Sequence, residues 1–253
     1  MKEVMREPDL ARAARLFSSA SRARMLKALC DGRPLAASVL AAEAGVSVAT
    51  ASVHLGQLVE AGLVLVKHSG RHRYYRLASP EVAVAMEALA VIAPTDATPV
   101  TSLRVSSREN ALRRSRTCYD HLAGSLGVTL MGAFLDQGLL TGRTTDTAPR
   151  VIADRPASYG KDVEYRLTAD GAERFRAFGV DVDGLSGARR PAVRYCVDWS
   201  EQRHHLAGAL GAAVTARFFT LGWLRYGVSP RVVHLTDKGR RGLVESFAVT
   251  VAD

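Results

Sequence analysis

Leu40-Ala41-Ala-Glu-Ala-Gly45-Val46-Ser47-Val48-Ala49-Thr50-Ala51-Ser52-Val53-His54-Leu55 is the stretch on which the fold turns. Leu40 and Ala41 give their helix a thin apolar face that a second helix can approach closely. Gly45 stands where the chain must reverse with φ > 0, a conformation glycine adopts at little steric cost. Val46 fills the angle between the helices, and Ser47 is a good N-cap for the next one. In that helix Ala51, Leu55 and Leu58 recur at i, i+4 and i+7, the core face of an amphipathic segment. The opposite face, Val48, Ala49, Ser52, Val53 and Gly56, is small and nearly uncharged, which suits entry into a major groove. The spacing predicts a helix-turn-helix whose second helix covers 47–57.

The flanks extend the pattern. Glu60-Ala61-Gly62-Leu63-Val64 closes the helix at a glycine, and 63–69 alternates weakly as a strand. Gly70-Arg71 makes a tight turn, and His72-Arg73-Tyr74-Tyr75-Arg76-Leu77 returns as a second strand. This is a β-wing with a basic tip, where Arg71, His72 and Arg73 would lie against phosphates or reach into a minor groove. Ser79-Pro80-Glu81 opens a further helix, with Pro80 where a missing N–H is tolerated. Two more amphipathic helices, 10–18 and 21–30, precede the motif.

On these residues, about 9–93 resembles the ArsR-type (arsenic-repressor) winged-helix regulators. The matching segments are Ser21-Arg22-Ala-Arg24-Met-Leu26-Lys-Ala-Leu29, the helix-turn-helix, Ala61-Gly62-Leu63-Val64 and Tyr75-Arg76-Leu77. The resemblance implies a homodimer that grips a double-stranded DNA operator with two recognition helices, acting as a repressor and joined through its first and last helices. Val48, Ala49, Ser52 and Val53 would read bases, and Thr50, His54 and Gln57 would hold phosphates or base edges beside them. Two departures are plain. The helix before the turn, Ser38-Val-Leu-Ala-Ala-Glu-Ala44, lacks the Cys-x-Cys of metal-sensing relatives, and the helix 81–92 has no His or Cys. Cys30 alone cannot replace them, so this domain is expected to bind DNA without sensing metal itself.

Composition agrees. The 253 residues hold 34 Lys and Arg against 25 Asp and Glu, a formal charge of +9 that favours polyanions. A 47% hydrophobic content and this length suit two folded regions. No signal peptide, membrane-spanning run or lipidation motif is seen, so a cytoplasmic protein without a membrane partner is expected. Three cysteines make no disulfide framework and fit a reducing compartment.

Beyond the turn-rich 94–106, read as a linker, the chain contains an internal repeat. Arg116-Thr-Cys118-Tyr119-Asp120-His121-Leu-Ala-Gly-Ser-Leu-Gly127 is matched by Arg194-Tyr195-Cys196-Val-Asp198 with His204-His205-Leu-Ala-Gly-Ala-Leu-Gly211. His121 to Leu140 and His205 to Leu224 span the same 19 positions. Each copy ends on Leu-Thr-x-x-Gly, with Thr168 and Thr236 as N-caps. Each therefore reads helix, helix, hairpin, helix. The domain expectation is 1–93 winged helix-turn-helix, 94–106 linker, and 107–253 duplicated winged-helix-like region (107–187 and 188–253). The fold class is mainly α with small β-wings, α+β. Phe134, Leu135, Phe218 and Phe219 look built for packing rather than for DNA contact, and 141–162 reads as a long partner-binding loop.

The repeat also places chemistry. Read as helical, Cys118 and His121 share a face at i, i+3. If the copies pack about a pseudo-twofold axis, Cys118, His121, Cys196 and His205 converge as a Cys₂His₂ set for Zn²⁺ or another thiophilic metal ion. Asp120, Asp198 or His204 would be further ligands or acceptors. Three other readings stand beside it. The repeated residues merely pack one joint twice; an organic ligand binds among Tyr119, Tyr195, Trp199 and Trp223; or Cys118 and Cys196 form a reversible disulfide, with Arg116 and Arg194 favouring the thiolate. A Cys/His pair without an oxyanion turn, phosphate loop or paired acidic motif does not make an enzyme. The function expected is a DNA-binding regulator whose operator affinity answers a small-molecule, metal or thiol signal at the C-terminal repeat. The alternative is a constitutive or architectural DNA-binding protein.

Overall fold

The computed structural model describes residues 9–30, 32–70, 72–93, 103–144, 163–187 and 190–251. The chain divides into two compact units, Met1–Ala83 and Val84–Asp253.

The first unit runs α1 (Leu10–Phe17), α2 (Ala20–Leu29), β1 (Leu35–Ala36), α3 (Ala37–Ala44), α4 (Val48–Glu60), β2 (Val64–Ser69) and β3 (His72–Leu77). The helix α5 (Pro80–Ile92) starts in it. Gly45 ends α3 at φ 68°, and the Ser47 hydroxyl caps α4 by accepting the Thr50 N–H at 3.1 Å. The α4 residues Ala51, Leu55 and Leu58 are fully buried, as are Met25, Leu26, Leu29 and Leu40. Together they form the small apolar core that holds the helix-turn-helix. The wing is a three-stranded antiparallel sheet in the order β1-β3-β2, in which β1 pairs Leu35 with Tyr75. Two residues are too few for periodicity to announce a strand, and sequence reasoning missed β1. Arg71, expected at the wing tip, lies outside the described residues.

The second unit contains α6 (Leu103–Arg114), which begins inside the stretch read as a linker, and then the two copies. The first copy is β4 (Arg116–Cys118), β5 (His121–Ala123), α7 (Gly124–Asp136), β6 (Leu140–Thr144), β7 (Val163–Leu167) and α8 (Ala169–Ala177). The second is β8 (Arg194–Val197), β9 (His204–Ala207), α9 (Gly208–Thr220), β10 (Leu224–Tyr226), β11 (Val233–Leu235) and α10 (Asp237–Phe247). Each copy is thus hairpin, helix, hairpin, helix. The expected first helix is a β-hairpin in both: in the first copy a spacing of i, i+3 marks the two corners of a β-turn as well as one turn of helix, and in the second a longer loop over 198–203 sets Cys196 opposite His205. Tyr119 adopts φ 60° at that turn, which no glycine announces. The long loop read over 141–162 falls mostly outside the described residues, although β6 and β7 pair in register from Leu140↔Leu167 to Thr144↔Val163.

The copies interlock. Helix α7 packs on β9 of the other copy, and α9 packs on β5. Glycine makes the approach close: a Cβ on Gly127 would lie 2.6 Å from Leu122 O and 3.6 Å from the His205 Cβ. One on Gly211 would lie 2.7 Å from Leu206 O and 3.4 Å from the His121 Cβ. Thr168 caps α8 through the Gly171 N–H, and Thr236 caps α10 through the Gly239 N–H, so both N-caps read from the repeat form. Phe134, Phe175, Phe218 and Phe247 are buried in one apolar core that both copies share.

Candidate nucleic-acid interface and Cys/His cluster

The face of α4 that looks away from the core is small and open. Val48 is 52% and Val53 63% exposed, and Ala49, Thr50 and Gln57 are exposed as well. Ser52 is half-buried and donates to Val48 O at 2.9 Å, while Thr50 lies 2.9 Å from the Ser47 hydroxyl. Gln57 accepts from Arg22 at 2.9 Å, and Arg22 also donates to Leu16 O and Arg15 O, an anchoring of α4 to α1 that the sequence did not signal. His54 is half-buried with a sheltered, unpartnered Nδ1. Beside α4, the wing strand exposes His72 and Arg73, and a shallow hollow between helix and sheet is lined by Ser52, Gly56, Val66, His68 and Arg73.

In the second unit the two hairpins set Cys118 opposite His121 and Cys196 opposite His205. The four ligand atoms all lie within 4.8 Å of one another. Cys118 is 2%, His121 7% and Cys196 9% exposed, and His205 is fully buried. The Nε2 atoms of both histidines are buried and accept or donate no hydrogen bond. The two imidazoles sit 5.3 Å apart. Behind each ring stands a carboxylate: Asp120 lies 3.3 Å from His121 Nδ1, and Asp198 lies 3.3 Å from His205 Nδ1. Asp120 and Asp198 therefore sit outside the donor set.

The rest of the expected set is elsewhere. Side chains alternate along a strand, so His204 faces away from its neighbour His205; it lies 2.8 Å from the Tyr165 hydroxyl and its ring is 4.1 Å from Tyr195. The four aromatics read as lining an organic-ligand pocket are dispersed: Trp223 packs on Phe178 and Phe218, Trp199 lies under the Arg116 guanidinium at 4.5 Å, and Tyr119 forms the hairpin turn.

Each carboxylate has its own arginine. Arg190 pairs with Asp120 at 2.7 Å, and Arg116, fully buried, pairs with Asp198 at 2.9 Å. Asp198 also accepts the N–H groups of Gly124 (2.6 Å) and Ser200 (3.0 Å) and the Ser200 hydroxyl (2.8 Å). Burial alone would raise its pKa, but His205, Arg116 and these donors outweigh that and hold the carboxyl well below the usual range. The thiol of Cys118 is pushed up to about 12 by its contact with Cys196, by burial and by the charge of Glu87. At Cys118 the thiolate that Arg116 was expected to favour is disfavoured instead, because Arg116 is committed to Asp198. Glu87, buried on α5, pairs with buried Arg231, which also donates to Thr117 O at 3.0 Å, next to Cys118.

Comparison with known proteins gives this geometry a family. A helix-turn-helix domain model matches residues 17–67. An uncharacterized HTH-type transcriptional regulator of Bacillus subtilis, YdfF, is 37% identical over 233 residues, covering 92% of this chain and 94% of its own. Among solved structures, the homodimeric winged helix-turn-helix domain of Mb0332 from Mycobacterium bovis, a possible ArsR-family regulator, is 29% identical. It covers 33% of this chain and 76% of its own at a TM-score of 0.30. The cadmium sensor CMTR of Mycobacterium tuberculosis is 32% identical over 37% of this chain and 99% of its own, at a TM-score of 0.29. The chain belongs to the HTH-type transcriptional regulators, DNA-binding proteins rather than enzymes.

Proposed function

We propose that the chain is a homodimeric repressor whose operator affinity is set by a signal received at the Cys118/His121/Cys196/His205 cluster. The observation that carries the reading is the open, uncharged face of α4 beside a basic wing strand. Val48, Ala49, Ser52 and Val53 meet base edges, where small apolar groups fit thymine methyls and leave room for the groove floor. Thr50, His54 and Gln57 flank them, and His72 and Arg73, with their chain neighbour Arg71, neutralise phosphates. Dimerisation draws support from α1, which is amphipathic yet buries no side chain, and from Leu89 and Ile92, which α5 leaves exposed. Control from the cluster draws support from four buried, convergent donors that lie in the second unit, apart from the helix-turn-helix in sequence.

Two substitutions test the interface on duplexes selected from a random pool. Arg73→Ala is expected to weaken binding evenly across sequences and to reduce the slope of log affinity against log salt by about 1. An unchanged salt series would remove the wing from the interface. Ser52→Asn is expected to change which duplexes are selected; uniform weakening with the same preferred sequence would contradict its place at the bases.

A further inference from the structure

We infer that Cys118, His121, Cys196 and His205 form a closed, four-coordinate site for a thiophilic dication of the Zn²⁺ and Cd²⁺ class. The inference deepens the proposed function, since it names the signal for the cluster to which that reading assigns control.

The donor chemistry comes first. Two thiolates and two imidazoles are the set that four-coordinate, tetrahedral zinc-class ions take. With bonds of about 2.3 Å to sulfur and 2.0–2.1 Å to nitrogen, such a site spaces its donor atoms by about 3.3–3.8 Å. The four atoms here already lie within 4.8 Å of one another. Contraction by about an ångström lies within the reach of side-chain rotation.

The histidines supply an independent observation. A buried polar atom left without a partner is costly and uncommon. Both Nε2 atoms are in that condition, on residues directly opposite the two cysteines. Each Nδ1 lies 3.3 Å from a carboxylate, which holds the ring in place and leaves Nε2 as the nitrogen available to an ion. The same arrangement occurs once in each copy, so the two halves present matched Cys/His pairs toward one another.

Charge selects the ion. Two thiolates cancel a dication, and Asp120 and Asp198 are each matched by an arginine, so the filled site adds no net charge to the interior. A monovalent ion would leave one buried negative charge and a trivalent ion one positive, each costly to hold away from water. Cys30, the remaining cysteine, is buried in the core of the first unit. With four protein donors the coordination shell is complete, as in sites that hold a metal rather than catalyse with it.

The test uses the full chain, stripped with a chelator under reducing conditions and titrated with Cd²⁺ followed by Zn²⁺ competition. The expected result is one ion per chain, a thiolate-to-cadmium charge-transfer absorbance and a raised Tm. Cys118→Ser/Cys196→Ser is expected to abolish the absorbance and to weaken binding more than 100-fold. Asp120→Asn, a half-exposed change that spares the core, is expected to weaken it about 10–100-fold while keeping the absorbance. Absence of the absorbance in the wild-type chain, or a reduced chain that takes up no ion and reoxidises to a Cys118–Cys196 disulfide, overturns the metal site. An ion that binds without changing affinity for a selected duplex upholds the site and overturns the control assigned to it. A duplex affinity that answers a thiol oxidant, with no ion bound, overturns the site and upholds that control.

Discussion

Asp198→Asn is expected to destabilise the second unit by about 3–5 kcal/mol, the loss typical of breaking one side of a buried ion pair. Arg116 is fully buried against it and its guanidinium faces Asp198, Ser200, Leu112 O and the Trp199 ring, none of which replaces the lost charge. The same carboxylate accepts the Gly124 N–H at the start of α7, so one substitution loosens a charge pair and a helix end together. At roughly 2–4 °C per kcal/mol for a unit of this size, the melting temperature should fall by about 10 °C. The effect has a pH signature. Because the folded-state pKa is depressed, the stabilisation is fully present above the ordinary carboxylate value near 4 and is lost as pH falls below it. The gap between wild type and variant, measured by denaturant unfolding, should narrow in that acid range. Arg116→Met/Asp198→Leu should recover part of the loss, since removing both charges leaves none unpaired. A single-variant loss under about 1 kcal/mol at pH 7 would contradict the role given to this pair.

Gly171→Ala and Gly239→Ala are expected to cost about 1–3 kcal/mol each, and more where the backbone cannot yield. A Cβ on Gly171 would lie 2.0 Å from Leu139 O, and one on Gly239 would lie 2.4 Å from Trp223 O. Both clashes are with backbone, where no rotamer change gives relief. These contacts explain the Leu-Thr-x-x-Gly ending of each copy: threonine caps the helix and glycine lets its first turn rest on the strand behind. Gly132, also helical, has open space at its Cβ position. Gly132→Ala should therefore stabilise by about 0.5–1 kcal/mol, as expected in a helix interior. Thermal melts of the three variants decide the matter, and equal effects at all three positions would sink the packing argument.

The winged helix-turn-helix was legible because its determinants are local. Gly45, Ser47 and the 51/55/58 stripe each act within a few residues. In the second unit the repeat announced which residues would recur, and hence the four side chains that converge, yet it misassigned their local structure. A two-residue turn leaves no periodicity to read, and Tyr119 takes a left-handed conformation that glycine would normally mark. The pairs that tie the unit together were at most half legible, for another reason. The repeat allowed an aspartate to meet Arg116 without saying which one, and Arg231 and Glu87, 144 positions apart, carried no signal at all, since nothing local to a charged residue names so distant a partner. The repeat singles out His205 over His204, since His205 stands at the position of His121; the strand gives the physical reason, by sending neighbours to opposite faces.

The division of the cluster between two hairpins has a further consequence. Each hairpin, with one sulfur and one ring nitrogen set across a ladder, is in coordination terms a bidentate chelator, half of a complete shell. An ion is satisfied only when both halves meet, so occupancy fastens one copy to the other and registers how closely they are held. A fragment carrying a single copy would have to borrow its missing half from a second molecule, turning an intramolecular clasp into a crosslink between chains.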